Sequence, residues 1–200
     1  MKVVLASGNA GKLAELGGLL AGAGLELVPQ GELGITDPVE DGHSFVENAL
    51  IKARNAARLL GWPALADDSG LIVDALGGAP GLISAHYAGV HGDAKGNIAK
   101  LLHELRAVPA ERRSARFYCC LVLLRNKDDP QPLIAEGQWP GVILDAPRGD
   151  GGFGYDPVFF DPATALSAGE MPAAMKNPIS HRGHALAQLK TRLADWIARG

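Results

Sequence analysis

The chain alternates between stretches of two different hydrophobic periodicities, which predict strands and helices in turn. Continuous or alternating apolar runs are typical of buried strands. They occur at residues 2–6 and 25–28 and in the segments "ALAD", "LIVDAL", "ARFYCCLVLL" and "PLIAEGQWPGVIL". The last two segments are long and the polar turn "RNKDDPQ" joins them, so we expect them to pair as a hairpin.

Four other stretches repeat apolar residues at a spacing of three or four, which predicts helices that pack against a core. Their apolar positions are Leu13, Leu16, Leu19 and Leu20; Phe45, Ala49, Ala53, Ala56 and Leu60; Ile98, Leu101, Leu102 and Leu105 within 94–106; and Leu186, Leu189, Leu193, Trp196 and Ile197. Ser44 and Glu47 form a capping-box pattern at the start of the second helix. This mixture of helices and long adjacent strands predicts an α/β fold with a mixed sheet.

Length and composition limit the classes of function. Two hundred residues can bury one substantial core, so we expect a single domain, 1–200, with room for two lobes. The formal net charge of −3 argues against a nucleic-acid surface but not against a small phosphorylated ligand. The longest apolar runs are too short for a membrane helix. Cys119 and Cys120 are strand neighbours and poor disulfide partners, so we expect a reduced, cytoplasmic protein.

The segment "SGNAGK", residues 7–12, lies where the first strand should end and the first helix begin. A helix N-terminus favours phosphate, Ser7 and Asn9 add hydrogen-bond donors, and Lys12 adds a full positive charge. The glycine spacing matches neither a Walker A loop nor a dinucleotide fingerprint. Two interpretations stay open, a phosphate-binding turn and an ordinary strand–helix turn with an exposed lysine.

Two adjacent carboxylates, Asp67 and Asp68, end a predicted buried strand and precede Ser69. Burying two negative charges is costly unless a metal, a cation or a proton compensates them. If the strand continues through them, alternation sends the two side chains to opposite faces. Together with the acidic pair Glu40-Asp41, one of them could hold a hard cation such as Mg²⁺. The alternative is an Asx turn that merely ends the strand.

The glycine-rich segment "GGFGYDP", residues 151–157, is predicted to be a loop whose backbone can approach a ligand closely. Phe153 and Tyr155 could stack on a nucleobase, and Asp156 could accept a hydrogen bond from a ring N–H. The alternative is a hairpin loop whose aromatic residues pack into the core.

The segment "KNPISHRGHAL" gathers Lys176, His181 and Arg182 just before the final predicted helix, with Ser180 as its N-cap. Cations at a helix N-terminus oppose the helix dipole. That local conflict favours a functional role over a solvated basic helix start.

The chain resembles the inosine triphosphate pyrophosphatase family over nearly all of its 200 residues. The resemblance rests on six segments in family order and spacing: "SGNAGK", "ENALIKAR", "ADDSGL", "GAPGLISAHYAG", "GGFGYDPVF" and "SHRGHAL". It implies an α/β fold with a long central mixed sheet flanked by helices, and two lobes with a nucleotide cleft between them. It also implies a homodimer that uses Mg²⁺ to hydrolyse ITP, dITP and XTP to the monophosphate and pyrophosphate.

The resemblance also implies roles for individual residues. Asp68 would be the general base, and Glu40 and Asp68 would hold the metal. The substrate-binding residues would be Ser7, Gly8, Asn9, Ala10, Gly11 and Lys12 for the triphosphate, Ser69, and Phe153, Gly154, Tyr155, Asp156, Lys176, His181 and Arg182 around the base and sugar. The chain departs from the family pattern at His86, where relatives carry Arg, and at Ala174-Met175, where they often carry Glu-Glu.

Two other classes of function stay open at the level of sequence. A nucleotide sensor could have the same pocket, although a pure binding protein has no need of a base beside a phosphate. A phosphatase could act on sugar phosphates or nucleoside monophosphates, although separate turns for phosphate and base favour a whole nucleotide. The phosphate product released from ITP would distinguish the three.

Overall fold

The structure is a computed structural model, and it describes residues 1–20 and 24–198. The strands are β1 (Lys2–Ala6), β2 (Glu26–Pro29), β3 (Ala64–Val73), β4 (Ser114–Leu124), β5 (Leu133–Ile143), β6 (Phe159–Asp161) and β7 (Leu166–Ser167). The helices are α1 (Ala10–Leu20), α2 (Phe45–Leu60), α3 (Ala94–Leu105), α4 (Ala173–Ile179) and α5 (His181–Ala198).

The seven strands form one mixed sheet in the order β2-β1-β3-β4-β5-β6-β7, which confirms the predicted α/β class. β1 pairs in parallel with β2 and with β3, whereas β6 is antiparallel to β5 and to β7. β4 and β5 are neighbours, and the connection 125–132 is too short for a parallel crossover. They therefore form the predicted hairpin.

The chain divides into two compact units. Unit 1 comprises Met1–Asp68, Cys119–Gly137 and His181–Gly200, and unit 2 comprises Ser69–Tyr118 and Gln138–Ser180. Each unit has its own hydrophobic core, as a division into two lobes requires. The nucleotide cleft expected between two lobes stays a prediction.

The core of unit 1 lies where α1 and α5 cover one face of β1, β3, β4 and β5. Its helical members include Leu16 and Leu20 of α1 and Leu186, Leu189 and Leu193 of α5, as the periodicity predicts. The side chain of Leu19 lies outside what the structure describes. Gly137 of β5 lets α5 approach closely, because a Cβ there would collide with the carbonyl oxygen of His181.

Helix α2 begins at the predicted capping box. Ser44 Oγ accepts a hydrogen bond from the Glu47 N–H, and Glu47 Oε2 accepts from Ser44 Oγ and from the His43 N–H at 2.8 Å each. Its predicted alanine face, Ala49, Ala53 and Ala56, is fully buried.

The core of unit 2 surrounds three aromatic side chains. Phe117, Trp139 and Phe159 pack with ring centroids 4.5–6.3 Å apart. Gly141 of β5 makes room for this cluster, because a Cβ there would lie 2.6 Å from the Phe159 ring. Leu101 and Leu105 of α3 complete the core, as their predicted helical spacing requires.

Four features differ from the sequence-based expectations. "ALAD" and "LIVDAL" are one strand, because β3 runs through both aspartates to Val73. The expected strand at 25–28 is shifted by one residue, to Glu26–Pro29. Ile197, expected to be buried, is 38% exposed, since it lies about 100° around the helix from buried Trp196. The short elements α4, β6 and β7 were not predicted, because two to seven residues show no reliable periodicity.

Asp129 anchors the turn of the β4–β5 hairpin, although it is almost fully buried. It accepts hydrogen bonds from the Arg125 and Gln131 N–H groups at 2.9 Å, and the Arg125 guanidinium lies 3.3 Å away. Burial alone would raise the pKa of Asp129, but these donors outweigh burial and lower the pKa.

Asp129→Ala should therefore lower the free energy of unfolding at neutral pH by about 1–3 kcal/mol, because it leaves buried N–H donors without an acceptor. Denaturant unfolding of the wild type and the variant measures the difference. Because folding lowers this pKa, the part of the difference that depends on ionisation of Asp129 should be complete above the ordinary value of 3.8 and disappear as the pH falls through the folded-state value. Exposed Asp128→Ala is the matched control, and an equal loss in both variants would contradict the assignment.

Candidate active site

The carboxyl end of β1 lies beside the middle of β3, where the two aspartates follow Ala66. The parallel register pairs Ala6 with Ala66, so the turn after β1 begins level with Asp67 on β3. In that turn Ser7 Oγ accepts from the Asn9 N–H at 3.2 Å, and Asn9 Oδ1 accepts from the Lys12 N–H at 3.1 Å. Asn9 thus caps α1, and the cap fixes Lys12 in the first helical turn beside the aspartates.

Asp67 points to the sheet face covered by α1 and α5. Its buried carboxylate pairs with Lys12 of α1 and lies 3.3 Å from Arg182 Nε of α5. Cys119 Sγ donates to Asp67 Oδ2 at 3.0 Å, and Arg182 also pairs with Glu15 at 2.8 Å. Two carboxylates and two cations therefore balance here, which offsets the cost of burying Asp67.

Asp68 points to the opposite face, toward α2. Lys52 Nζ donates to Asp68 Oδ1 at 2.8 Å and lies 3.0 Å from Glu40 Oε2. One lysine is thus shared between two carboxylates, and one negative charge is left uncompensated. Among the described residues, Asp68 Oδ2 is buried without a hydrogen-bond partner. An unpartnered buried carboxylate oxygen in an anionic pocket is the donor set that a hard cation requires.

The two aspartates consequently differ in acidity. Burial opposes ionisation of both, but Lys12 and Arg182 outweigh it at Asp67 and hold the pKa of that carboxyl far below its usual range. At Asp68 burial prevails over the charges of Lys52 and Lys12, and the pKa is raised. A carboxylate with a raised pKa beside one with a lowered pKa is typical of a site that separates a proton acceptor from a structural anion.

Lys52 is the main residue that sequence reasoning missed. The signal was present, because Lys52 lies on the buried face of α2 between Ala49 and Ala53. A lysine in an apolar helix stripe must find an anion. Glu15, the second partner of Arg182, gave no comparable signal, since it lies among polar and small residues of α1.

A second group of predicted residues lies within unit 2. Buried Lys176 pairs with buried Asp156 at 2.6 Å, and Lys176 Nζ lies 5.3 Å from the centroid of the Phe153 ring. Asp156 Oδ2 also accepts from the Phe153 N–H at 2.8 Å. Gly152 has a φ of 72°, and a Cβ there would overlap the Asp156 carboxylate, so the loop closes only with glycine at this position.

The aromatic residues of the glycine-rich loop have different environments. Tyr155 packs into the core of unit 2 and donates its hydroxyl to the Ser84 carbonyl oxygen at 2.8 Å, whereas Phe153 is only partly buried. Phe153 is therefore the better placed of the two for stacking on a base. Base contacts by Tyr155, Gly154 and Asp156 stay predictions.

The three cations of "KNPISHRGHAL" belong to two different helices. Lys176 lies inside α4, whereas His181 and Arg182 open α5. All three side chains are buried. The charge of Arg182 at a helix N-terminus is compensated by Asp67 and Glu15, which removes the predicted conflict with the dipole.

The remaining predicted residues lie in accessible positions. Gly8 and Ala10 are exposed, Asn9, Gly11 and Ser69 are half-buried, and Glu40 is exposed in the segment before α2. His86 is exposed and its ring stacks on that of His91. The described part of the chain contains no group of three or more His, Cys, Asp or Glu residues suited to a metal, so protein ligands alone do not complete a site.

These features define an α/β protein with a candidate phosphate- and cation-binding site at the carboxyl end of β1, beside Asp67 and Asp68 of the parallel strand β3. A model of the Ham1 family matches residues 3–192. The chain belongs to the Ham1 family, and the family assignment made from its sequence motifs is confirmed.

Relatives match over almost the whole chain. A protein of Xanthomonas campestris pv. campestris (strain 8004) named dITP/XTP pyrophosphatase is 65% identical, with 96% of each chain covered. One of the same name from Xylella fastidiosa (strain Temecula1 / ATCC 700964) is 60% identical, with 98% and 99% covered. The structure of a HAM1 protein from Coxiella burnetii superposes with a TM-score of 0.90 at 48% identity, covering 98% of this chain and 99% of that one.

The buried Asp67–Arg182–Glu15 network predicts a large effect of removing Arg182. Arg182→Ala should lower the free energy of unfolding by roughly 3–5 kcal/mol, because it leaves buried carboxylates undercompensated. Arg182→Lys should restore part of the loss, and exposed Lys190→Ala is the control. If Arg182 also donates a hydrogen bond to the nucleobase, the ratio of the ITP to the ATP hydrolysis rate should be lower in Arg182→Lys than in the wild type. An unchanged ratio would restrict Arg182 to the ion-pair network.

Proposed function

We propose that this protein hydrolyses deaminated purine nucleoside triphosphates, namely dITP, XTP and ITP, to the monophosphate and pyrophosphate. The observation that carries the proposal is that Asp67 and Asp68, beside the Ser7–Lys12 turn, have carboxylates in different electrostatic environments. One carboxylate is neutralised by cations, while the other keeps an unpartnered oxygen and a raised pKa. The 65% identity to a dITP/XTP pyrophosphatase over almost the full length supports the same reaction.

Asp68 accepts the proton of the attacking water. The new bond forms between the water oxygen and the α-phosphorus, and the bond from the α-phosphorus to the α–β bridging oxygen breaks, which releases pyrophosphate. General-base catalysis needs a carboxylate that is ionised yet still basic, and the raised pKa of Asp68 meets that requirement. Lys12 and the N–H groups at the start of α1 stabilise the charge on the phosphates.

Glu40 and Asp68 would hold a Mg²⁺ ion. Their pocket has a net negative charge and an unpartnered carboxylate oxygen, and Mg²⁺ takes its other ligands from water and phosphate. When bound, the ion would neutralise charge on the triphosphate. Lys52 keeps the two carboxylates close together, because it pairs with both.

The family resemblance assigns contacts with the base and sugar to Phe153, Gly154, Tyr155, Asp156, Lys176, His181 and Arg182. Hypoxanthine and xanthine present a 6-oxo acceptor to donors such as His181 and Arg182, whereas adenine presents a 6-amino donor. A buried site that hydrogen-bonds the oxo group would reject adenine strongly. Guanine shares the oxo group, so this contact does not exclude it.

We further propose a homodimer that acts in the cytoplasm on free nucleotides, as the resemblance implied. None of the helices in the described residues combines the length and apolar character needed to cross a membrane. Cys119 and Cys120 form no disulfide bond, and burial raises the pKa of both thiols.

The products of dITP hydrolysis test the proposed reaction. Purified protein with dITP and Mg²⁺ should release pyrophosphate, and in ¹⁸O-water the label should appear in the monophosphate. Label in the pyrophosphate would place the attack on the β-phosphorus. Orthophosphate as the direct product would indicate a phosphatase, and binding without turnover would indicate a sensor.

Asp68→Asn should reduce kcat for dITP by at least ~10²-fold, because it removes the base while keeping the shape of the side chain. Calorimetry should still detect nucleotide binding by the variant. Exposed Asp195→Asn is the control for the loss of a carboxylate and should retain full turnover. Near-normal turnover by Asp68→Asn would transfer the role of base to another group.

A further inference from the structure

Glu40 lies in a segment that belongs to no helix or strand. Residues 36–42, here called the strap, have no regular secondary structure. The Glu40 carboxylate is nevertheless 3.0 Å from buried Lys52. Side-chain contacts must therefore fix the strap.

Helix α2 holds the strap at both ends. Asn55 Nδ2 donates to the Thr36 carbonyl oxygen at 3.3 Å, and Asn48 Oδ1 accepts from the Gly42 N–H at 2.9 Å. Asn48, Lys52 and Asn55 follow at helical spacing, so a single polar stripe of α2 faces the strap.

Asp37 is the residue of the strap that lies next to the Ser7–Lys12 turn. Among the contacts of the described residues, no other strap residue reaches that turn. Its Oδ1 accepts a hydrogen bond from the side chain of Gln30, which is only 2% exposed. Its Oδ2 lies against Gly8, where a Cβ would be 2.6 Å from that oxygen. The three heavy atoms nearest to such a Cβ all belong to the Asp37 carboxylate.

Gly8 therefore leaves room for the Asp37 carboxylate, which a side chain there would displace. Its φ lies outside the left-handed region, so another residue could adopt its backbone conformation. A carboxylate at a phosphate-binding turn also opposes anion binding, so contact with substrate does not explain Asp37. Attachment of the strap explains both the glycine and the carboxylate.

We propose that Asp37 is a positioning residue: its hydrogen bond with Gln30 fixes the Glu40-bearing strap, and its carboxylate packs against Gly8 of the Ser7–Lys12 turn. The turn proposed to bind phosphate and the carboxylate proposed to bind metal are thereby held in a fixed relation. This relevance to catalysis rests on the proposed function, whereas the attachment itself does not.

Hydrogen–deuterium exchange of the metal-free protein tests the attachment without any substrate. Asp37→Ala should raise amide exchange in residues 36–42 by about 10-fold, since one of the strap's few restraints is lost. Asp37→Asn keeps an acceptor for Gln30 and should stay within about 2-fold of the wild type. Exposed Glu32→Ala removes an equal charge from the same unit and should leave amide exchange in the strap unchanged.

A double-mutant cycle tests the contact with Gly8. Gly8→Ala alone should also raise exchange in the strap, because its new methyl group displaces the Asp37 carboxylate. In the Asp37→Ala background Gly8→Ala should add less than about 2-fold, since the obstacle is gone. Effects that multiply in the double variant, or an Asp37→Ala strap that exchanges like the wild type, would overturn the proposal.

The Mg²⁺ dependence of dITP hydrolysis tests the consequence for catalysis. Asp37→Ala should raise the Mg²⁺ concentration for half-maximal rate by about 3- to 10-fold, the order expected for one ordinary hydrogen bond, and leave kcat at saturating Mg²⁺ nearly unchanged. A loosened strap with unaltered Mg²⁺ dependence would overturn the positioning role. If the wild type releases no pyrophosphate from dITP, the proposed function fails, and the exchange cycle still decides the attachment.

Discussion

The neutralisation of two consecutive carboxylates inside a buried strand constrains the whole of unit 1. Because β3 continues through Asp67 and Asp68, their side chains leave the sheet on opposite faces and need cations on both. α1 and α5 supply Lys12 and Arg182 on one face, and α2 supplies Lys52 on the other. The dipeptide Asp67-Asp68 thus constrains where α1 and α5 begin and which face of α2 packs on the sheet.

The compensation is unequal, and this inequality is what makes the site chemically useful. Asp67 has two cations and a thiol donor, so it is a permanent anion that orients Lys12 and Arg182. Asp68 shares one lysine with Glu40 and keeps one oxygen without a partner among the described residues. A strand that placed both carboxylates on one face could not give them such different acidities, since they would share the same cations.

Much of the fold could be predicted because its periodic signals are long. α2, α3 and α5 and the hairpin of β4 and β5 have ten or more residues each, and the predicted apolar positions of the three helices are buried or half-buried except Ile197. α4 was missed because Pro178 interrupts a seven-residue helix, and β6 and β7 because two or three residues are too few to show a repeated alternation. The break predicted between "ALAD" and "LIVDAL" was wrong because two aspartates resemble a turn when their partners are unknown.

The sequence by itself determined the family, the fold class and the types of residue that carry the chemistry, because six motifs in fixed order and long hydrophobic periods are local properties of the chain. Only the tertiary structure decided which charges meet. Lys52 and Asp68 are 16 positions apart and Arg182 and Asp67 are 115 apart, and neither spacing predicts a contact. Charge compensation acts over a few ångströms in space, whereas sequence patterns report only neighbours along the chain, so the pairing of buried charges became visible only once the sheet had brought β1, β3 and their helices together.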